Sequence, residues 1–340
     1  MTKPSNEIHS ISDLTQILKE LGEPTHGKTR FFRGQAKKWE LLPSVYRKDK
    51  PYLIENEDKI IKDALTNCPD DFSPNDTLFE KLVKLQHYGY ATRLLDLTAN
   101  ALVALYFACS EEKHHKRLGE FVIFDIPDIK IKYGDSDTVA ILAALSFRKK
   151  DFNFSEYIKN SDTISNREIK EKALDEIHLS IQRSKTLEYL TKQDPDIEKL
   201  LQLDGTKQLF NLDTIKLLNF NNQNEVISLI HDVRADKPSF RPAIEPEDLT
   251  RVLCVRAKLN NARISRQQGC FLLFGINNEK RNPAEIPDDW KRLPTKGKRF
   301  IVRNKKQIMQ ELKAFGISRQ TLFPELESQA QEIMSQYKPK

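Results

Sequence analysis

Apolar residues along the chain come in short bursts whose period switches between that of a helix and that of a strand. In residues 7–22, Leu14, Ile17, Leu18 and Leu21 lie three and four apart, with Ser12 or Asp13 near the start and Gly22 as a stop, which predicts a helix. Residues 29–34, TRFFRG, predict a short strand that carries Arg33 out of a run of aromatics, and residues 39–47 a loop around Pro43. Helical spacing returns over 54–65 and over 77–86, where Leu78, Leu82 and Leu85 share a face. The densest stretch follows, LQHYGYATRLLDLTANALVALYFAC over 85–109. It predicts a polar loop feeding a helix in which Leu102, Leu105, Tyr106 and Cys109 recur at helical spacing, with Thr98 or Asn100 as N-cap.

Beyond it, GEFVIFD over 119–125 predicts a buried strand, and further strands fall at 250–257 and 270–275, with Asn260 and Asn261 as turn residues between them. Residues 137–232 alternate charged positions with Leu and Ile at three and four spacing, as in Ile177, Ile181, Leu187 and Leu190, and predict a helical insert. A strand at 298–302, a helix at 305–315 stopped by Gly316 and a last helix opened by Pro324 close the chain. The pattern predicts an α+β class: a small mixed or antiparallel sheet core with flanking helices, plus the mostly helical insert.

Composition changes this picture little. With 340 residues and 39% apolar, the chain has enough material for a real core. Its 55 basic and 49 acidic residues leave a balance of +6, a weak pointer to an anionic partner. Cys68, Cys109, Cys254 and Cys270 are far apart and form no C-x-x-C pair, so neither a disulfide framework nor a zinc cluster is indicated, and no metal is expected. The N-terminus lacks the apolar core of a signal peptide and no stretch is long enough to span a bilayer, which predicts a cytoplasmic protein without membrane contact.

The candidate chemistry lies in three separated polar clusters: Arg33-Gly34-Gln35, the 86–98 segment with His87, Tyr88, Thr92, Arg93, Asp96 and Thr98, and the 263–271 run RISRQQGCF with Arg263 and Gln267. Polar groups at the ends of core elements either satisfy one another or converge on a ligand. One carboxylate, Asp96, does not balance Arg33, Arg93 and Arg263, and the planar guanidinium fork suits a phosphate. The start of the helix after Asn100 adds free N–H groups of the kind that attract anions. Against this, Arg33 and Arg93 read equally well as structural forks, His87 as a packed histidine, Thr98 as a cap, and Gly34, Gly89 and Gly269 as backbone necessities, since no phosphate-loop motif occurs. His114, His115 and the basic run 296–299 read as solvated surface.

Together these motifs resemble the FRG domain family. The resemblance rests on Phe32-Arg33-Gly34 followed by Gln35, on the L-Q-H-Y-G turn at 85–89 followed by T-R-L-L-D-L-T at 92–98 and V-A-L-Y-F-A, and on R-I-x-x-Q-x-G-x-F from Arg263 through Gln267 and Gly269 to Phe271. Leu97 stands where the family commonly has Trp. The resemblance implies an N-terminal helix in 1–28, a first domain half in 29–126, the insert in 127–245 and a second half in 246–340. More distantly, the order of Arg33, Thr92 to Thr98 and Gln267 is similar to that of single-domain ADP-ribosyltransferases. That likeness implies an ADP-ribosyltransferase-like fold in which Arg33 and Arg93 hold the pyrophosphate of NAD, Thr92 or Thr98 orients the ribose and Tyr88 stacks the ring, with transferase or NAD-hydrolase activity and a protein or nucleic-acid target. Gln267 stands where that family has a carboxylate, and a neutral amide supplies no negative charge to a developing cation, which leaves Asp96 as the acid at hand. A toxin or phage-defence role fits the family, and a non-catalytic nucleic-acid or protein-binding module, its motif residues forming a structural polar network, stays open as the alternative.

Overall fold

The computed structural model describes residues 6–164, 212–241, 243–259, 261–294 and 299–337. Its centre is a nine-stranded mixed sheet, wider than the small core expected from the sequence. In chain order the strands are β1 (Glu7–Ile8), β2 (Lys28–Gln35), β3 (Leu94–Thr98), β4 (Gly119–Pro127), β5 (Ile131–Tyr133), β6 (Val252–Arg256), β7 (Gly269–Phe274), then β8 (Ile276–Asn277) and β9 (Glu279–Pro283), which form a separate hairpin, and finally β10 (Lys291–Arg292) and β11 (Phe300–Val302). The sheet runs β1-β11-β4-β2-β3-β7-β6-β5, with β10 also on β4, and every pair is antiparallel except the outermost β1–β11 and β5–β6.

The hydrogen-bonding register divides this sheet in two. Strand β2 pairs with β4 along its whole length, from Lys28↔Pro127 to Gln35↔Glu120, and β3 pairs with β7 along its whole length, from Leu94↔Leu273 to Thr98↔Gly269. Between β2 and β3 there is a single pair, Phe32↔Thr98. In that register Arg33, Gly34 and Gln35 would continue opposite Leu97, Asp96 and Leu95, but the strands part and leave those positions unpaired.

Alternation along the strands explains how the halves stay together. Phe31 and Phe32 point to opposite faces, as do Leu94 and Leu95 and Leu272 and Leu273, and each pair is divided between two buried clusters. One face is covered in two blocks. The Ile11–Leu21, Ala101–Cys109 and Lys305–Ala314 helices pack over the β2–β4 half, and the Leu78–His87, Asp137–Ala144 and Asn224–Asp236 helices over the β3–β7 half. The other face holds one continuous cluster, in which Phe31 and Phe124 meet Leu95, Leu97, Leu272 and Phe274, closed by Ile286 and Trp290. The sheet is therefore bridged by packing on one face and open to a cleft where its central strands separate.

Local signals set the helices. Ser10 caps Ile11–Leu21 by accepting from the Asp13 N–H at 3.2 Å, which starts the helix later than residue 7 and frees Glu7–Ile8 to pair with β11. Thr77 and Glu80 form a capping box for Leu78–His87, at 3.3 and 2.9 Å. Asn100, not Thr98, caps Ala101–Cys109, accepting from Leu102 and Val103 N–H at 2.9 and 3.3 Å. Two expectations are corrected. Residues 94–98 are a central strand rather than loop, and Asn261 opens the short Ala262–Gln267 helix rather than a bare turn. The described helices of 127–245 share the core of the β3–β7 half with Leu94, Phe271 and Leu273. The expected helical face of Ile177, Ile181, Leu187 and Leu190 lies outside the described residues, as do Asn260 and residues 296–298. Among the described residues no helix is long and apolar enough to cross a membrane.

Gly34 sets how closely the Ala101–Cys109 helix approaches β2. A Cβ there would lie 1.7 Å from the Ala104 carbonyl oxygen and 2.7 Å from the Ala108 nitrogen, both rigid helix backbone. Gly34→Ala must therefore push the helix off the sheet, and we expect it to lower unfolding free energy by about 3 kcal/mol or more. Urea denaturation of both proteins checks this; a loss under about 1 kcal/mol contradicts the close packing.

Candidate functional site

The parting of β2 and β3 opens a hollow of about 800 Å³. Residues 32–36 of β2 and its continuation form one wall and Asp96, Leu97 and Thr98 of β3 the other; the Ala262–Gln267 helix and the start of β7 complete it. It brings together Arg33, Gly34, Gln35, His87, Asp96, Thr98, Arg263 and Gln267 from all three polar clusters.

Arg33 occupies the gap left by the missing strand pairing. Its Nη1 donates to the Asp96 carbonyl at 2.7 Å, taking the place of a strand N–H, and its Nε donates to Gln35 Oε1 at 3.3 Å. Gln35 is buried and held in turn by donating to the Trp39 carbonyl and to Glu120, each at 3.2 Å. With two of five donors committed, the guanidinium keeps three for something else. Its nearest carboxylate oxygen, on Asp96, is 3.9 Å away. Burial lowers the pKa of Arg33, Asp96 pulls it up, and the neighbouring charge of Arg47 lowers it again, so two cations share this wall.

Asp96 is positioned through its neighbours. The Thr92 hydroxyl donates to Gln86 Oε1, which turns the Gln86 amide so that Nε2 donates to Asp96 Oδ1 at 2.8 Å. The carboxylate stays 61% exposed in the hollow. On the opposite wall, the Arg263 guanidinium sits 4.6 Å over the Phe323 ring, and its buried Nε has no acceptor among the described residues. No carboxylate among the described residues forms an ion pair with Arg263 or Arg47. Asn261, whose Oδ1 caps the 262–267 helix, turns its amide NH₂ toward His87 Nδ1 at 3.1 Å, so the neutral ring carries its proton on Nε2. Burial first, and the Arg263 charge second, hold His87 below its ordinary pKa of 6.5.

Three sequence-predicted site residues lie elsewhere. Arg93 is fully buried and binds Glu57 with Nε at 3.0 Å and Nη2, while Nη1 donates to the Phe274 carbonyl at 3.2 Å; Lys280 reaches the same Glu57 carboxylate at 3.2 Å. This is a structural knot, and burial between Arg93 and Glu57 also pushes the Tyr46 phenol up to about 12. Thr92 is buried and acts on the hollow only through Gln86. Tyr88 is 71% exposed and lines a different depression, next to Lys84 and Lys258. The helix start at Ala101 offers no anion site either: Asn100 takes the Leu102 and Val103 N–H groups, and Thr98 accepts from the Asn100 N–H at 3.0 Å and donates to the Gln267 carbonyl at 2.7 Å. Gln267 donates to the Leu322 carbonyl at 3.1 Å, tying the C-terminal segment to this wall.

Residues 28–117 match the family model described as FRG domain. This stretch is an FRG domain. Its matched range contains β2, the 86–98 segment, β3 and the Ala101–Cys109 helix, which is the wall with Arg33 and Asp96; the wall with Arg263 and Gln267 comes from outside it. The family's Phe-Arg-Gly motif acquires a physical meaning here: Phe32 makes the single β2–β3 pair, Arg33 fills the gap beyond it, and Gly34 admits the helix. No curated protein matches the chain. No solved structure matches it either.

Sequence reasoning left out Arg47, Lys37 and Trp39, which follow the FRG domain's first strand into the hollow, and the Glu57–Lys280 pair that claims Arg93. His114, expected in solvent, packs its ring edgewise on Trp39 with centroids 5.6 Å apart. Because His87 is depressed by burial and by Arg263, its contribution to stability is complete above pH about 6.5 and is lost as pH falls through the lower folded value. NMR titration of the His87 ring should give a midpoint below 6.5, and Arg263→Gln should raise it. A normal midpoint that Arg263→Gln leaves unchanged contradicts this geometry.

Proposed function

We propose that the cleft of this FRG-domain protein binds a nucleotide-type anionic ligand, NAD or a relative of it. The observation that carries this reading is the concentration of cations where the central strands part: Arg33, Arg47 and Arg263 line one hollow, and among the described residues the one ion pair that any of the three makes is Arg33 with Asp96 at 3.9 Å. Of the other acids on the same rim, Glu40 and Glu111 are taken by Lys48 at 2.7 Å and Lys113 at 3.5 Å, and Asp49 makes no ion pair with any of the three arginines. Guanidinium groups with unused donors in a concave, half-closed site are suited to bidentate phosphate contact, and the roughly 800 Å³ volume accommodates a dinucleotide.

The same arrangement supports an NAD-cleaving reaction. The bond from the ribose C1′ to the nicotinamide nitrogen breaks, its electron pair leaves with nicotinamide, and water or an acceptor nucleophile adds to C1′ and gives up a proton. Asp96, fixed by Gln86 and exposed in the hollow, supplies the negative charge that such a cationic transition state requires. Gln267 supplies none; its amide is spent on Leu322. Thr92 orients this acid through Gln86, and Arg93 contributes to the fold.

Isothermal titration of the folded protein with NAD checks the binding reading. Arg33→Ala should weaken binding about 10- to 100-fold, the loss of one charge-assisted contact, and should lower stability by about 1–3 kcal/mol because the Asp96 carbonyl loses its donor. Arg93→Ala should destabilise the fold by about 3–5 kcal/mol, because Glu57 loses two buried donors and a cavity opens beside the Glu57–Lys280 pair, with no direct effect on the hollow. Asp96→Asn should retain binding and abolish nicotinamide release. A folded wild-type protein that neither binds NAD nor releases nicotinamide, yet binds nucleic acid with steep salt dependence, contradicts the nucleotide reading and supports the non-catalytic module.

A further inference from the structure

Of the aromatic residues that line the cleft, Phe32, Tyr46 and Phe271 are buried, Phe107 is half-buried and Trp39 is exposed, and nothing in the polar motifs of the chain points to Trp39. It lines the hollow on the stretch that continues β2, and 40% of its surface is exposed. A large indole left this open on a concave wall forgoes burial that a core position would give it, so its placement asks for a function. The position is also firmly held. Buried Gln35 donates to the Trp39 carbonyl at 3.2 Å. Lys305, itself buried, ties the Ala36 carbonyl to the His114 carbonyl, accepted at 2.9 Å on the His114 side. His114 then packs edgewise on the indole, and the Lys37 ammonium lies over the ring, 5.3 Å from its centroid, where a stacked base would take its place. The ring is a fixed, electron-rich plate with cationic neighbours, in the same hollow as Arg33 and Arg47.

We propose that Trp39 is a stacking platform for the planar heteroaromatic base of the ligand whose phosphates meet the arginines. This rests on the nucleotide reading and narrows it. Phosphate alone satisfies Arg33 and Arg263; only a ligand that carries a base uses Trp39. Stacking of a base on an aromatic side chain is sequence-tolerant and contributes about 1–3 kcal/mol, which corresponds to about 5- to 150-fold in affinity. Tyr88, assigned that role by the motif order, faces a different depression.

The chain has two tryptophans, and the other, Trp290, is buried in the core cluster with Phe31 and Phe124, so the part of the ligand-induced quenching that disappears in Trp39→Ala reports on Trp39. Titrations with NAD, AMP, ribose 5-phosphate and inorganic pyrophosphate, followed by fluorescence and by calorimetry, separate the base from the phosphates. The proposal expects NAD and AMP to quench Trp39 and the two base-free compounds to bind without quenching. Trp39→Ala should weaken AMP at least fivefold and pyrophosphate less than twofold, and Trp39→Phe should restore most of the difference. Thermal melting of both variants within about 2 °C of wild type shows that the fold is kept. Calorimetric binding of AMP with no quenching and no effect of Trp39→Ala overturns the platform but leaves the anion cleft standing. Absence of binding by all four compounds removes the cleft reading and the platform together, and quenching by a single-stranded oligonucleotide alone overturns the assignment to a mononucleotide or dinucleotide.

Discussion

The single backbone pair between β2 and β3 is the constraint from which the rest of the site follows. An antiparallel pair of strands this long would ordinarily close its ladder, and here it closes at Phe32↔Thr98 only. The missing pairs cost hydrogen bonds at the centre of a nine-stranded sheet, a place where backbone groups are otherwise fully matched. Arg33 offsets part of that cost by donating to the Asp96 carbonyl, so a charged side chain does the work of a strand edge. The continuous apolar cluster on the Phe31 face of the sheet, which reaches the hollow at Leu97 and Cys270, keeps the two halves from separating further. A cleft with a cation built into its floor is the outcome.

The protein treats its arginines in two ways, and the contrast separates structure from site. Around Arg93 the ion is held inside the core: Glu57 takes two donors and Phe274 a third, and the same carboxylate also holds the Lys280 ammonium. Breaking such a knot leaves an uncompensated buried charge. Around Arg263 nothing comparable exists: the guanidinium lies on Phe323 and its Nε has no acceptor among the described residues. Arg33 stands between these extremes. The gradient of neutralisation from Arg93 to Arg33 to Arg263 runs from the core into the hollow.

Much of this was legible in the chain, but unevenly. The apolar periods located the helices at 11–21, 78–87 and 305–314 within a few residues because capping groups and glycines mark their ends. Leu94–Thr98 was missed as a strand because its partner β7 is about 170 residues away and the segment's own residues are mixed; only long-range pairing makes LLDLT central. Arg33, Asp96, Arg263 and Gln267 were recognisable as a set from the motifs, and they do line one hollow. Arg93 was grouped with them by proximity to Asp96, yet in a strand entry the side chains of residues 93 and 96 have no reason to share surroundings, and its partner Glu57 sits in a helix with no motif around it. Trp39 was invisible as a site residue for a similar reason: its exposure depends on Gln35 and Lys305 bracing the turn after β2, which no local pattern announces.

The most direct measurement is a crystal structure determined with inorganic pyrophosphate present. Electron density for the anion between Arg33 and Arg263, within hydrogen-bond reach of both guanidinium groups and with β2 and β3 still paired only at Phe32↔Thr98, is the predicted result. Strands zipped together beyond that pair, or both guanidinium groups occupied by carboxylates of the protein with no room for an anion, would contradict it.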